Sequence, residues 1–223
     1  MKSFLSYFTL CVALLMLPGA TAFAGADAHS PHEHQGLLKP YTGAPPQISL
    51  TPADKAKLDK GQPVRKQLKN KTQKGGRGMV IQDIDAPPSV VMGRILDFNN
   101  YPNMVDKVKL TKNYDTRGNH IKTRFIIGTF AFSVEYFIDH IVNKEKGYIT
   151  WTLDYTRRSE LDDSVGFWYV AKHPTKPNWT RLYYSVEIRV ASWVPSFVEN
   201  YLSKDGLVTA TAWVKKESEK RKK

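Results

Sequence analysis

Phe132-Ser133-Val134-Glu135-Tyr136-Phe137-Ile138-Asp139 is followed, after a turn at 143–147, by Tyr148-Ile149-Thr150-Trp151-Thr152-Leu153-Asp154-Tyr155. In the first run Phe132, Val134, Tyr136 and Ile138 fall on one side, opposite Ser133, Glu135, Phe137 and Asp139; His140 shares the parity of Ile138. In the second, Ile149, Trp151, Leu153 and Tyr155 oppose Thr150, Thr152 and Asp154. Alternation with period two predicts β-strands that each bury one face.

The same signal extends in both directions. Strands are expected at 107–114 and 121–127, separated by Asp115-Thr116-Arg117-Gly118-Asn119, and at 165–171 and 181–190. In the last of these Leu182, Tyr184, Val186, Ile188 and Val190 oppose Tyr183, Ser185, Glu187 and Arg189. Six consecutive strands joined mostly by short turns make an antiparallel meander. The polar face, with Arg124, Glu135, Asp154, Glu187 and Arg189, is expected to be solvated and laced by cross-strand charge pairs.

Upstream, 79–84 reads as one more strand, giving about seven. Ala86-Pro87-Pro88 ends it, and a helix opens at Pro88 or Ser89 with Val91, Ile95, Leu96 and Phe98 on its apolar side. Asn99-Asn100-Tyr101-Pro102 breaks that helix, and Met104-Val105 fits one further helical turn. Downstream, Trp193-Val194-Pro195 begins a long terminal helix. Val194, Phe197, Val198, Tyr201, Leu202, Val208 and Ala212 follow helical spacing, interrupted at Gly206. The class is therefore α+β: a curved antiparallel sheet whose apolar face is covered by the C-terminal helix, with two short helices after the first strand. Such a grip commonly leaves an apolar cavity between sheet and helix.

Charge is concentrated at the flanks. The 223 residues hold 33 Lys and Arg against 21 Asp and Glu, a net charge of +12. Residues 51–78 contribute nine basic and two acidic side chains, and 215–223 six and two. Residues 79–214 carry sixteen basic and fifteen acidic groups. A nucleic-acid binder carries its charge on the folded surface, so none is expected here. Basic flanks fit solvation or weak attraction to an anionic membrane surface. The one cysteine, Cys11, lies in the first apolar run, which excludes a disulfide framework. A monomer is expected.

Lys2, an apolar run near 8–17, Pro18-Gly19 and Ala20-Thr21-Ala22-Phe23-Ala24 have the layout of a secretory signal peptide, with cleavage placed after Ala24. The string at 20–24 also resembles the cleavage motif of preproteins bound for secondary plastids of red-lineage algae, so export and plastid both stand as destinations. Residues 25–50 are expected to be a disordered linker or transit segment. The histidines His29, His32 and His34 within it are read as incidental. Residues 51–77 form an N-terminal helix, capped by Thr51 and stopped by Gly61, and a basic connection. The ligand-binding domain spans 78–214, and 215–223 is a basic tail. Asn70 and Asn178 each open an Asn-x-Thr sequon in an expected turn.

Asp85-Ala86-Pro87, Ile95-Leu96-Asp97-Phe98 and Tyr101-Pro102 resemble the opening of coenzyme-Q-binding START-like domains, in the polyketide cyclase/dehydrase and lipid transport group of the helix-grip superfamily. The family shows Ala-Pro after its first strand, then Asp-Phe-x-x-Tyr-Pro at the end of its first helix. Gly166-Phe167-Trp168-Tyr169 and Thr180-Arg181-Leu182-Tyr183-Tyr184 are similar to its late strands. The resemblance runs from about Gly78 to Glu219. It implies a helix-grip fold and a hydrophobic small-molecule ligand: a lipid, an isoprenoid quinone or a polyketide-like compound. No cofactor is expected.

The expected cavity lining is Phe125, Phe132, Val134, Tyr136, Trp151, Leu153, Trp168, Tyr184 and Val186 from strands, with Phe197 and Tyr201 from the helix. Leu161, the one apolar residue in the charged stretch 156–164, is expected to act as a gate that latches onto the helix. Neither a nucleophile–base pair nor metal-ligand spacing is evident, so no catalytic or metal residue is assigned and non-enzymatic binding or transport is expected. The alternative is a cyclase or dehydratase acting in the same cavity, which needs an inward acid/base group. His140 has the parity for it.

Overall fold

A computed structural model describes residues 25–43, 48–68, 77–130, 132–190 and 206–222. The expected signal peptide, the sequon at Asn70, and Phe197 and Tyr201 lie outside the described residues. The elements, in chain order, are α1 (Pro52–Asp59), β1 (Val64–Leu68), β2 (Arg77–Ile84), α2 (Pro88–Leu96), α3 (Tyr101–Met104), β3 (Val108–Arg117), β4 (His120–Gly128), β5 (Ser133–Asn143), β6 (Tyr148–Leu153), β7 (Leu161–Lys172), β8 (Thr180–Val190) and α4 (Gly206–Glu219). A 3-10 turn at Phe98–Asn100 links α2 to α3.

All neighbouring strands pair antiparallel in one eight-stranded sheet, ordered β1-β2-β8-β7-β6-β5-β4-β3. The meander from β3 to β8 is as the alternation predicts. The eighth strand, β1, falls in the stretch expected to be a basic connection and pairs Val64 with Ile81. Its Val64 packs with Leu58 of α1 and with Ile81, a small core that the charged neighbours Arg65 and Lys66 conceal in the sequence. The link from β2 to β3, through α2 and α3, passes from one side of the meander to the other. It lays Val91, Ile95 and Phe98 across the apolar face. Bulges between Val108 and Leu110, between Asn113 and Asp115, and between Leu161 and Asp163 bend β3 and β7.

The second face of the sheet is not simply wet. Phe137, Val165 and Phe167 on that side are buried, as are Asp154 and Glu187. Residues 25–43, expected as a linker, lie against the sheet instead. Asp27 and Arg158 exchange two backbone hydrogen bonds of 2.9 Å. The Tyr41 ring meets Phe167 edge-on at 4.6 Å, and its hydroxyl lies 2.7 Å from Ser185 Oγ. His32 bridges the Ser159 amide, which donates to its Nδ1, and the Asp162 carbonyl, which accepts from its Nε2 at 3.0 Å. The anchor is Asp163, fully buried, whose carboxylate accepts from Leu37 N (2.5 Å), Leu38 N (2.7 Å), the Tyr155 hydroxyl (2.8 Å) and its own neighbour Ser164 N (2.8 Å). Buried apolar residues on the outer face supply the reason, since a half-covered Phe167 leaves area that the passing chain can remove from water.

The stretch expected to be a gate is tied down by the same contacts. Leu161 is the first residue of β7, pairs with Val190, and is buried with Ile127 and Val134. Glu160 N donates to Glu135 O, and Phe137 N to Ser159 Oγ. In this structure Leu161 is thus a strand residue rather than the tip of a free loop.

The C-terminal boundary also moves. The expected basic tail continues α4 to Glu219, with Val214, Glu217 and Ser218 buried. Lys220 and Arg221 pair with Glu217 at 2.7 and 3.2 Å, and Glu219 accepts from the Asp85 amide at 3.1 Å. Basic side chains at a helix C-terminus complement its dipole. Nearby, Arg181 forks onto Asp83 at 2.7 and 2.8 Å, and His173 Nε2 lies 2.9 Å from the same carboxylate. Burial alone would push the Asp83 carboxyl up, but Arg181 and His173 outweigh it and hold it below the usual range.

Replacing Asp163 by Ala leaves buried N–H and O–H donors without an acceptor, at a cost of about 3 kcal/mol. The Leu37 and Leu38 amides should then exchange with solvent at least tenfold faster than in wild type. Urea unfolding and amide exchange measure both. Unchanged exchange at Leu37 and Leu38 would show that Asp163 does not anchor the segment.

Candidate functional site

Cross-strand register sets the site. One row of paired positions runs Ile121 (β4), His140 (β5), Trp151 (β6), Gly166 (β7) and Val186 (β8). A second pairs Ile149 with Trp168 and Trp168 with Tyr184, and Phe125 opposes Tyr136. Facing positions in such rows have Cβ atoms about 5 Å apart, so their rings must stack or interleave. Phe125 and Tyr136 lie parallel at 5.2 Å, and Trp151 stacks on Tyr184 at 5.9 Å.

Gly166 makes this geometry possible. A Cβ there would come within 2.1 Å of the Trp151 ring and 2.5 Å of the Ser185 carbonyl. Without one, the Trp151 indole lies down over β7 and its Nε1 donates to Ser164 Oγ at 3.3 Å. Across from the sheet, α4 contributes Thr209, Ala210 and Trp213, and α2–α3 contribute Phe98 and Tyr101. Trp213 meets Tyr101 edge-on at 4.9 Å, and the Tyr101 hydroxyl donates to Ile95 O at 2.6 Å. Burial raises the Tyr101 phenol well above its usual range, so it remains a neutral donor.

These walls line a partly open cavity of about 160 Å3. Of the expected lining, Phe125, Tyr136, Trp151, Trp168, Tyr184 and Val186 border it, and so does Leu161 as a fixed wall. Phe132 and Val134 belong to a side cluster with Ile127 and Leu161, and Leu153 is buried in the core away from the cavity surface. None of the described lining residues is charged.

His140 is the titratable imidazole of this lining. It is 5% exposed and stacked on Phe98 at 4.2 Å. Its Nδ1 lies 3.1 Å from the Ile121 carbonyl. A carbonyl can only accept, so Nδ1 carries the proton and Nε2 presents a lone pair. Burial pushes the imidazole down to about 3, against a small opposing effect of the Ile121 bond.

The sequence reading did not assign Trp213, Phe98, Tyr101 or Ser164 to the cavity. Phe98 and Tyr101 were in plain view in the Asp-Phe-x-x-Tyr-Pro string, but nothing local says that a broken helix turns its rings inward. Trp213 was missed because the apolar spacing through Val208 and Ala212 was carried past Gly206. In the structure Ala212 is exposed, and Thr211, Val214 and Ser218 lie on the buried side. The adjacent pair Trp213-Val214 was the available signal.

No family model matches this chain, and no curated protein sequence matches it either. Solved structures do. The Zhui aromatase/cyclase from Streptomyces sp. R1128 is 12% identical with a TM-score of 0.57, covering 66% of this chain and 96% of its own. A STAR-related lipid transfer protein from Xanthomonas axonopodis is 10% identical with a TM-score of 0.56, covering 70% and 93%. A START superfamily protein from Mycobacterium smegmatis is 15% identical with a TM-score of 0.51, covering 65% and 98%. At such identities the likeness is one of architecture: the chain has the START-like helix-grip fold.

Proposed function

We propose that this protein binds a compact hydrophobic small molecule, without chemical conversion, between the sheet and α4. The observation that carries the reading is the cavity itself: about 160 Å3, with no charged side chain among its described lining residues, and walled by aromatic rings from five strands, α3, α4 and the 3-10 turn. An engineered apolar cavity of ~150 Å3 takes up benzene, so a single substituted ring is the natural occupant. The solved structures of this fold include a lipid transfer protein and an aromatase/cyclase. The resemblance to coenzyme-Q binders adds a substituted quinone-type ring as a candidate headgroup. An isoprenoid tail exceeds the described cavity and would lie outside it.

Binding is favoured over cyclase or dehydratase chemistry by His140. A general base works best with a pKa near the operating pH, whereas burial holds this imidazole near 3. A neutral ring of that basicity accepts a hydrogen bond and removes protons poorly.

Two measurements follow. Calorimetric titration with ethylbenzene should show saturable one-to-one binding to wild type, with a negative heat-capacity change from apolar burial. Ala210→Phe, which fills the cavity from α4, should abolish it with the far-ultraviolet dichroism unchanged. Absence of binding to wild type, or equal binding to the filled variant, would overturn the reading.

The second concerns pH. Above about pH 6.5 His140 is neutral in both folded and unfolded chains. Below that value the unfolded chain takes up a proton that the native state refuses until about pH 3, so stability falls with acidity across that window. Between pH 6 and 5, urea unfolding should show wild type losing about 1 kcal/mol more than His140→Phe. Equal losses would mean that His140 is not desolvated.

A further inference from the structure

The binding reading leaves open what selects the ligand, and one polar atom in the cavity answers that. His140 is buried, and its ring is fixed on three sides: stacked on Phe98 at 4.2 Å, beside Phe125 at 6.2 Å and Trp151 at 6.3 Å. The Ile121 carbonyl fixes the tautomer with the proton on Nδ1. Nε2 has no hydrogen-bond partner among the described residues. The atom is not sealed in protein, so a donor can reach it from the cavity that His140 lines.

The other polar groups of the lining are differently placed. Ser164 Oγ already accepts from the Trp151 indole, and the Tyr101 hydroxyl is spent on Ile95 O. Tyr136, Tyr184 and Thr209 each have an interaction of their own. Among the described lining residues Nε2 is thus the one side-chain group that can only accept, and none of their side chains is charged to hold an ion.

We infer that the cavity selects an uncharged single-ring aromatic compound bearing a hydroxyl group, whose O–H donates to His140 Nε2 while the ring lies among Phe125, Trp151 and Trp213. This rests on the binding reading above and sharpens it. It also separates two redox forms of one ligand class. A quinone presents only carbonyl acceptors, which a bare Nε2 cannot satisfy. The hydroquinone presents O–H donors, which it can. The phenolic or reduced form is therefore the one retained. Burial of the imidazole keeps Nε2 unprotonated throughout the physiological range, so the preference does not switch with pH there.

A matched pair of probes tests this: p-cresol and toluene, which differ by one hydroxyl. Each is titrated calorimetrically into the full-length chain and into His140→Phe, which keeps an aromatic ring and removes the acceptor. A site built around a hydrogen bond discriminates strongly against the analogue lacking the group. Wild type should bind p-cresol at least tenfold more tightly than toluene. In His140→Phe the ratio should fall to near one. Should the variant fail to fold, the imidazole nitrogen resonance of Nε2 in histidine-labelled wild type decides instead. It should move upfield with p-cresol and stay in place with toluene. Toluene binding with no preference for p-cresol, or a preference that survives His140→Phe, would overturn the hydroxyl selection and leave the cavity reading standing. Failure of both probes to bind wild type would overturn the cavity reading and this inference with it.

Discussion

A sheet with apolar residues on both faces has to be covered twice, and the two covers organise this molecule. On one face, α2, α3 and α4 close over Phe125, Trp151, Trp168 and Tyr184. On the other, residues 25–43 and α1 pass over Phe167, Ile81 and their neighbours. The two covers are held differently. The helical cover makes mostly apolar and aromatic contacts, and it leaves a cavity where the rings cannot fill the space. The outer cover is held by directed hydrogen bonds to the Asp163 carboxylate and to the backbone of Arg158, Ser159 and Asp162.

Charge follows the same division. Asp83, Asp154 and Asp163 are all buried, and each is satisfied away from the cavity: Asp83 by Arg181 and His173, Asp154 by Tyr114 and Lys122, Asp163 by backbone amides and Tyr155. Unpaired buried charge is expensive, and concentrating ionic groups on the outer face and at the sheet end leaves the described lining of the cavity without charge. Among the described lining residues polarity comes from hydroxyls, the indoles of Trp151, Trp168 and Trp213 and the neutral imidazole of His140. Such a site distinguishes ligands by shape and by one hydrogen bond, rather than by charge.

Much of this was legible in the sequence. Period-two alternation placed Tyr136, Ile138 and His140 on one face of β5 and Trp151 on the matching face of β6, and the register joins them. Parity alone was enough to make His140 an inward candidate. What the sequence hid has physical reasons. The outer cover is irregular backbone, and irregular packing carries no period to read. Its anchor, Asp163, looks like one more surface acid between Asp162 and Ser164. Leu161 appeared to be a lone apolar residue in a charged loop because the bulge after it breaks the strand pattern. The register of α4 was misread across Gly206, which hid Trp213. Phe98 and Tyr101 reach the cavity only because the break at Asp97 redirects the chain, a tertiary consequence that local spacing does not contain.

The central claim is that an accessible, largely apolar cavity lies between the sheet and α4. A crystal structure of the full-length protein under xenon pressure tests it most directly, because xenon partitions into apolar cavities and is located by its anomalous scattering. The account predicts one ordered xenon site enclosed by Phe125, Trp151 and Trp213 and within van der Waals contact of the His140 ring. Side chains closing that space, with no xenon between sheet and helix, would contradict it.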